Sequence, residues 1–101
     1  MENYTLIINH FAEEDIKDAI VWYNEQKENL GDEFLQDVKS LVLRINNKPL
    51  QFPIIRKNIR RAILNRFPYA IFFIISDSNI IVFAVFHTKR NPKLWEKRRK
   101  L

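Results

Sequence analysis

The sequence has no cysteine and only one glycine among its 101 residues. Without cysteine the chain forms no disulfide and offers no thiolate to a metal, a composition that fits a reducing compartment. A single glycine leaves no Gly-rich loop to cradle a phosphate and no dinucleotide-binding fingerprint. These scarcities exclude disulfide scaffolds and the common nucleotide-binding motifs, and we expect a cytoplasmic protein.

Long apolar runs and clusters of metal ligands are missing as well. No run approaches the roughly 18 apolar residues of a membrane helix, and the segment "MENYTLIINH" does not resemble an export signal. His10 and His87 lie far apart without ligand spacing, so we expect no metal and no cofactor. The hydrophobic content of 47% suits one compact core. We therefore predict a single domain over residues 1–101 that does not contact a membrane.

Charge is distributed unevenly along the chain. Residues 1–55 carry 5 Lys or Arg against 10 Asp or Glu, whereas residues 56–101 carry 12 against 2. The net charge therefore changes from −5 to +10 between the two parts, which predicts a folded molecule with a basic face. Such a face attracts nucleic acid, an acidic protein or anionic lipid, and a merely solvated surface is the alternative.

The first half of the sequence predicts a strand and two helices. Residues 3–9 have the composition of a short strand, and apolar residues at three- and four-residue spacing then predict a helix with Asn9 as its N-cap. We expect Gly31 to end this helix in a left-handed conformation and Asp32 to cap a second helix. The result is a helical hairpin over about residues 10–47, which ends at "NNKP".

After Pro53 the pattern changes to strands. The segments "IIRK", "IRRAILNRF", "YAIFFII" and "NIIVFAVFH" predict an antiparallel meander over about residues 54–87, with "SDSN" as its last turn. The last two strands are apolar almost throughout, so both faces of the sheet require cover. Two helices cover one face only. The other face is left to the basic tail at 88–101, to a second copy or to a partner chain.

One group of side chains has residue types that suit catalysis or the binding of anions. Its members are cations and a histidine on or beside a middle strand and just beyond the last strand: Arg60, Arg61, Arg66, His87, Lys89 and Arg90. In a meander the two subsets can meet on one side of the sheet. Convergent cations hold phosphates and a histidine moves protons near neutral pH, so the group can cleave RNA or simply bind an acidic partner. Trp95, Tyr69 and Phe67 can stack on bases, but for Phe67 and Tyr69 we expect core packing instead.

These segments resemble a known family over nearly the whole chain. The stretches "IRRAILNRFPYAIFFII" and "IIVFAVFHTKRNPKLWEKR", together with the order of elements, resemble the RelE/ParE superfamily of bacterial type II toxins. The resemblance implies an α+β fold with an N-terminal strand, a helical hairpin packed on one face, an antiparallel sheet of three to four strands and a short basic tail. It also implies a toxin that a cognate antitoxin neutralises by covering its surface.

The two branches of this superfamily imply different targets. The features "RFPY" and "NPKLW" are more similar to the ParE branch, some members of which inhibit DNA gyrase. The RelE branch cleaves mRNA on the ribosome with a strand arginine and an arginine after the last strand, which carries over to Arg60 or Arg61 and to Arg90. RelE-type enzymes often have a tyrosine or histidine near the C-terminus. Trp95 stands close to that position, and because indole transfers no proton, catalysis would depend on His87.

Three functions therefore remain open on the sequence: a gyrase inhibitor, an mRNA endoribonuclease, and a nucleic-acid-binding domain without toxicity. A ribonuclease would use His87, Arg61 and Arg90 as catalytic residues. A surface that binds the target or a nucleic acid would consist of the following residues: Arg60, Arg61, Arg66, Lys89, Arg90 and Trp95. A homodimer or a larger toxin–antitoxin assembly is compatible with each alternative.

Overall fold

The structure is a computed structural model that describes residues 3–90 and 93–99. It contains the strands β1 (Thr5–Ile8), β2 (Ile54–Arg56), β3 (Ile59–Ile63), β4 (Tyr69–Ser76) and β5 (Asn79–His87). The helices are α1 (His10–Gln26), α2 (Leu30–Asn47) and α3 (Lys93–Arg99), and a 3₁₀ turn occupies Pro49–Gln51. None of the helices in these ranges has the length and apolar character that a membrane span requires.

The five strands form one mixed sheet in the order β1-β5-β4-β3-β2. Strands β2 to β5 make the antiparallel meander that the sequence predicts, and the turn between β4 and β5 has Asp77 at φ 55. Strand β1 pairs in parallel with β5, from Thr5 opposite Asn79 to Ile8 opposite Val82. The predicted α+β architecture is confirmed, and the N-terminal strand adds the parallel edge.

Helix α1 begins as its sequence predicts. Asn9 has an extended backbone, and its side-chain Oδ1 accepts a hydrogen bond from the backbone N–H of Ala12 at 3.0 Å. This bond satisfies one of the N–H groups that the first helical turn leaves without a partner. Because the cap is in place, α1 leaves β1 at a defined point and turns its buried residues Ala12, Ala19 and Tyr23 toward the sheet.

The connection between α1 and α2 differs from the prediction. The left-handed residue is Asn29, at φ 67, and α2 begins directly after it, so Gly31 lies inside the helix and Asp32 in its first turn. Neither residue has the predicted capping role. A Cβ at Gly31 would lie 2.3 Å from the backbone oxygen of Ile20, and the N–H of Gly31 donates to Oδ1 of Asn24 at 2.7 Å. The glycine is therefore needed for the close approach of two helices.

The helical hairpin covers one face of the sheet. Side chains from both helices and from the sheet are completely or almost completely buried there, among them Phe34, Ile45, Ile71, Phe73, Ile80 and Val82. Burying each such side chain stabilises the fold by about 1.5–3 kcal/mol. This layer is the main hydrophobic core, and it holds the strands in the register that positions their ends.

The opposite face of the sheet is also buried at its centre. Phe72, Phe83 and Phe86 are only 5%, 4% and 2% exposed, and they belong to a second apolar cluster. Helix α3 packs against β5, and the guanidinium of its Arg98 lies 4.5 Å from the ring centroid of Phe86. The sequence left this face to the tail, to a second copy or to a partner chain. In the structure the tail covers part of the face.

Candidate functional site

A cluster of polar and aromatic side chains lies where β5 ends. His87 is the last residue of β5 and pairs with Tyr69, the first residue of β4, so that their rings meet at 5.4 Å. The chain then turns, because the N–H of Arg90 donates to the carbonyl oxygen of His87 at 3.0 Å. The guanidinium of Arg90 lies 4.1 Å from the ring centroid of Phe86, within cation–π range. The ring therefore holds Arg90 at this end of the sheet.

Arg61 joins this cluster from β3. It is exposed and pairs with Phe72, whose side chain belongs to the same apolar cluster as Phe86. Arg61, His87 and Arg90 line one cavity of about 90 Å³. Within the described ranges neither arginine forms a salt bridge. These three residues are termed the sheet-end cluster below.

The other two arginines predicted for the site lie elsewhere. Successive residues of a strand point to opposite faces, so Arg60 turns away from Arg61 and donates to the carbonyl oxygen of Phe52 at 2.6 Å. Arg66 donates from Nη2 to Oε1 of Glu33 at 2.6 Å. Both guanidiniums therefore tie neighbouring segments to the body of the fold, and the structure does not bring them to the sheet-end cluster.

The imidazole of His87 has a defined hydrogen-bond partner on one side. The backbone N–H of Lys89 donates to its Nδ1 at 3.1 Å. An Nδ1 that accepts carries no proton, so this contact places the proton of the neutral ring on Nε2. The side chain of Lys89 is exposed beside the cluster. The side chain of Trp95, the remaining predicted residue, lies outside the described part of the chain.

Two aromatic residues that border the site were not among the predicted site residues. A second cavity of about 240 Å³ adjoins the cluster, and Trp22 and Tyr69 line it together with His87 and Arg90. Burial raises the pKa of the Tyr69 phenol, while the charge of Arg90 lowers it and that of Asp15 raises it. Tyr69 is half-buried, in line with the expected core packing, but it also borders this cavity. Trp22 is 52% exposed, and its position off the buried stripe of α1 was a usable signal in the sequence.

Comparison with known proteins adds a family and a fold. A family model described as the ParE toxin of the type II toxin–antitoxin system parDE matches residues 6–92. Among solved structures, a chain titled as the chromosomal ParDE TA system from P. aeruginosa is similar at a TM-score of 0.76 and 17% sequence identity. The similarity covers 84% of this chain and 96% of that chain, and at this identity it extends to the fold alone. No curated protein sequence matches.

Proposed function

Because the chain belongs to the ParE toxin family of type II toxin–antitoxin systems, we propose that it arrests bacterial growth when free and that a cognate antitoxin neutralises it. The target in this proposal is DNA gyrase, and the place of action is the bacterial cytoplasm. The sheet-end cluster is the proposed contact with the target. Two observations support this target over RNA cleavage, namely the hydrogen bond that His87 accepts and the open shape of the surface around it.

The two arginines of the cluster are arranged to bind an anionic surface. Arg61 is exposed, Arg90 is held on the ring of Phe86, and no described carboxylate neutralises either one. A guanidinium presents several donors in a fixed plane, which suits carboxylates and phosphates. The adjoining cavities of about 90 and 240 Å³ are smaller than the roughly 300 Å³ at which small-molecule sites begin. An open surface of this kind supports binding to a macromolecule.

The hydrogen bond at His87 carries the preference against a ribonuclease. Activation of a 2′-hydroxyl requires a general base with a free lone pair. In neutral His87 the lone pair of Nδ1 accepts from the N–H of Lys89, and Nε2 then carries the proton. Tyr69 is no substitute base, because its raised pKa keeps the phenol protonated at neutral pH. The cluster therefore has cations for binding but lacks a base in the observed geometry.

Growth of bacteria that express the chain tests the toxin proposal. We expect arrest when the chain is induced alone and recovery when the cognate antitoxin is co-expressed. The amount of soluble chain is measured in both cultures, because low expression would imitate a harmless protein. Normal growth at verified soluble expression would contradict toxicity and would leave the non-toxic nucleic-acid-binding alternative.

The target is tested with two assays in parallel, gyrase supercoiling of DNA and ribosome-dependent mRNA cleavage. We expect the wild type to inhibit supercoiling, Arg61→Ala and Arg90→Ala to weaken that inhibition, and His87→Ala to matter less. For a ribonuclease, loss of a transition-state contact would instead slow cleavage on the order of a hundredfold, and His87→Ala would be at least as harmful as Arg90→Ala.

Thermal melts of the same variants serve as the control. Arg61→Ala should change stability by no more than about 0.5 kcal/mol, as at other exposed sites. Arg90→Ala also loses its ring contact and should cost up to about 1 kcal/mol. Full activity in all three folded variants would show that the sheet-end cluster is not the working surface.

A further inference from the structure

A shielded ion pair joins α1 to α3. Nη1 of Arg98 lies 2.5 Å from Oδ2 of Asp15, and Nη2 lies 3.0 Å from Oδ1. The side chains of Arg98 and Asp15 are 21% and 9% exposed. Both carboxylate oxygens are thus occupied by one guanidinium, in the bidentate arrangement that gives strong charge-assisted hydrogen bonds.

The same pair completes the edge of β5. Strand β1 covers this edge only as far as Val82. Beyond that point Oδ2 of Asp15 accepts from the N–H of Val85 at 2.9 Å, and Nη1 of Arg98 donates to the carbonyl oxygen of Phe83 at 3.3 Å. The two side chains replace the missing strand along the segment that leads to the sheet-end cluster.

Arg90, the proposed working cation, shares its surroundings with this pair. Its guanidinium and that of Arg98 lie 4.1 and 4.5 Å from the ring centroid of Phe86. Asp15 and Arg90 line the same cavity, and both of their charges act on the pKa of Tyr69. One carboxylate therefore lies near two guanidiniums. It is bonded to Arg98, while Arg90 has no salt bridge with any described residue.

We propose that Arg98 is a positioning residue, which occupies the carboxylate of Asp15 and thereby leaves Arg90 free to bind the target. This inference rests on the proposed function, because it requires Arg90 to act as a binding cation. Without Arg98, the carboxylate of Asp15 would keep only the N–H of Val85 as a hydrogen-bond partner among the described residues. A shielded charge without a counter-ion is strongly unfavourable, so Arg90 would be drawn toward Asp15 and neutralised.

A purely structural role of the Arg98–Asp15 pair would give a different result from competition between Arg98 and Arg90 for Asp15. If the pair only holds α3 in place, removing either partner should reduce activity, and removing both should be no better than removing one. If Arg98 keeps Asp15 away from Arg90, loss of Arg98 should be harmful only while the carboxylate is present. The combination of single and double variants therefore separates the two roles.

The experiment measures the amount of soluble chain per cell that halves the growth rate. We expect Arg98→Ala to raise this amount by about tenfold, the factor that corresponds to loss of one charge-assisted hydrogen bond. Asp15→Asn should stay close to the wild type in activity per folded chain, because its amide oxygen still accepts from Val85 while no charge remains to capture Arg90, although loss of the counter-ion of Arg98 should lower its melting temperature. The double variant Asp15→Asn/Arg98→Ala should recover to within about twofold of the wild type.

Three further variants control for folding and net charge. Arg98→Lys keeps a counter-charge beside Asp15 and should remain active, and thermal melts verify that each variant is folded. Lys97→Ala removes the same charge from an exposed position of α3 and should match the wild type. Should Arg98→Ala prove unfolded, Arg98→Gln provides an uncharged replacement and should show the same loss and the same rescue by Asp15→Asn.

Several results would overturn the inference. A fully active Arg98→Ala chain, a double variant as weak as Arg98→Ala, or an equal loss in Lys97→Ala would each do so. Arg90→Ala separates the two proposals. If Arg90→Ala is inactive while Arg98→Ala is active, the proposed binding role of Arg90 survives and this positioning role fails. If Arg90→Ala is fully active, both fail.

Discussion

At the scale of single residues, two tyrosines connect the hydrophobic core to the sheet-end cluster. Tyr23 is buried, stacks on Phe34 at 5.4 Å and meets the ring of Tyr69 at 6.0 Å, edge to face. Burial raises the pKa of Tyr23, and the proximity of Tyr69 raises it further. The pKa of Tyr69 is raised by burial although Arg90 opposes the shift. Both phenols therefore favour the protonated form in the folded chain more than in the unfolded chain.

These shifts predict a loss of stability in alkaline solution. A raised folded-state pKa contributes stability that is fully present below the unfolded value of about 10 and is lost as the pH rises through the folded-state pKa. We expect the free energy of unfolding, measured by urea titration, to decline above about pH 10 and the decline to be smaller in Tyr69→Phe. The same alkaline decline in Tyr69→Phe as in the wild type would contradict a role for this phenol.

At the scale of elements, the helical hairpin is held together by a cap that crosses from one helix to the other. Asn29 occupies the N-cap position of α2 but makes no side-chain capping bond. Asn24 of α1 supplies an acceptor instead, because its Oδ1 binds the N–H of Gly31 in the first turn of α2. This bond requires the two helices to approach closely, which is possible only without a side chain at Gly31.

The close approach predicts that Gly31→Ala destabilises the fold although alanine is the better helix former. The change favours the helix by about 1 kcal/mol. The new Cβ, however, would lie 2.3 Å from the backbone oxygen of Ile20 and 2.7 Å from Cγ of Asn24. Forced overpacking costs typically about 1–3 kcal/mol, and here a backbone atom must move, so we expect a net loss.

Thermal or urea unfolding measures this change. Gln36→Ala is a matched control, because Gln36 is exposed in the same helix and its replacement creates no contact. We expect the control to alter the free energy of unfolding by no more than about 0.5 kcal/mol. A Gly31→Ala chain as stable as the wild type would refute the packing role of the glycine.

At the scale of the whole molecule, the remaining exposed apolar side chains concentrate away from the centre of the sheet. The sequence left the second sheet face to the tail, to a second copy or to a partner chain. In the structure that face is buried at Phe72, Phe83 and Phe86, whereas Val21 of α1 and Leu43 of α2 are 60% and 70% exposed. Because Leu43 is the most exposed large apolar side chain of the described residues, apolar association of free chains should involve the helical hairpin.

We expect the purified free chain to self-associate and the cognate antitoxin to keep it in solution. The double variant Val21→Thr/Leu43→Gln should associate less than the wild type, because it removes apolar surface from the hairpin. Ile7→Thr is the matched control on the sheet, where Ile7 is 44% exposed. Light scattering after size-exclusion chromatography measures the mass. A wild-type chain that stays monomeric at high concentration would contradict this prediction.

Up to the end of β5, the order and type of the helices and strands followed from the sequence because their signals are local, whereas α3 lies in the segment that the sequence predicted only as a basic tail. Apolar spacing separates helix from strand, Asn9 marks the start of α1, and "SDSN" marks the turn of the last hairpin. The resemblance carried by the strand segments also indicated the family that the comparison with known proteins shows. Each of these features depends on neighbours within a few residues, so no knowledge of the packing was needed.

The composition of the candidate site was decided by tertiary structure. Arg60 and Arg61 are adjacent in the chain, yet only Arg61 reaches the sheet-end cluster. Successive side chains of a strand point to opposite faces of the sheet, but the sequence does not indicate which face carries the site. Arg98 meets Asp15 across 83 positions of sequence, and no periodicity links them. Such contacts arise only when strand pairing and helix packing bring distant segments together. The type of a residue determines its charge and its hydrogen-bonding capacity, but it does not determine the partner of that residue.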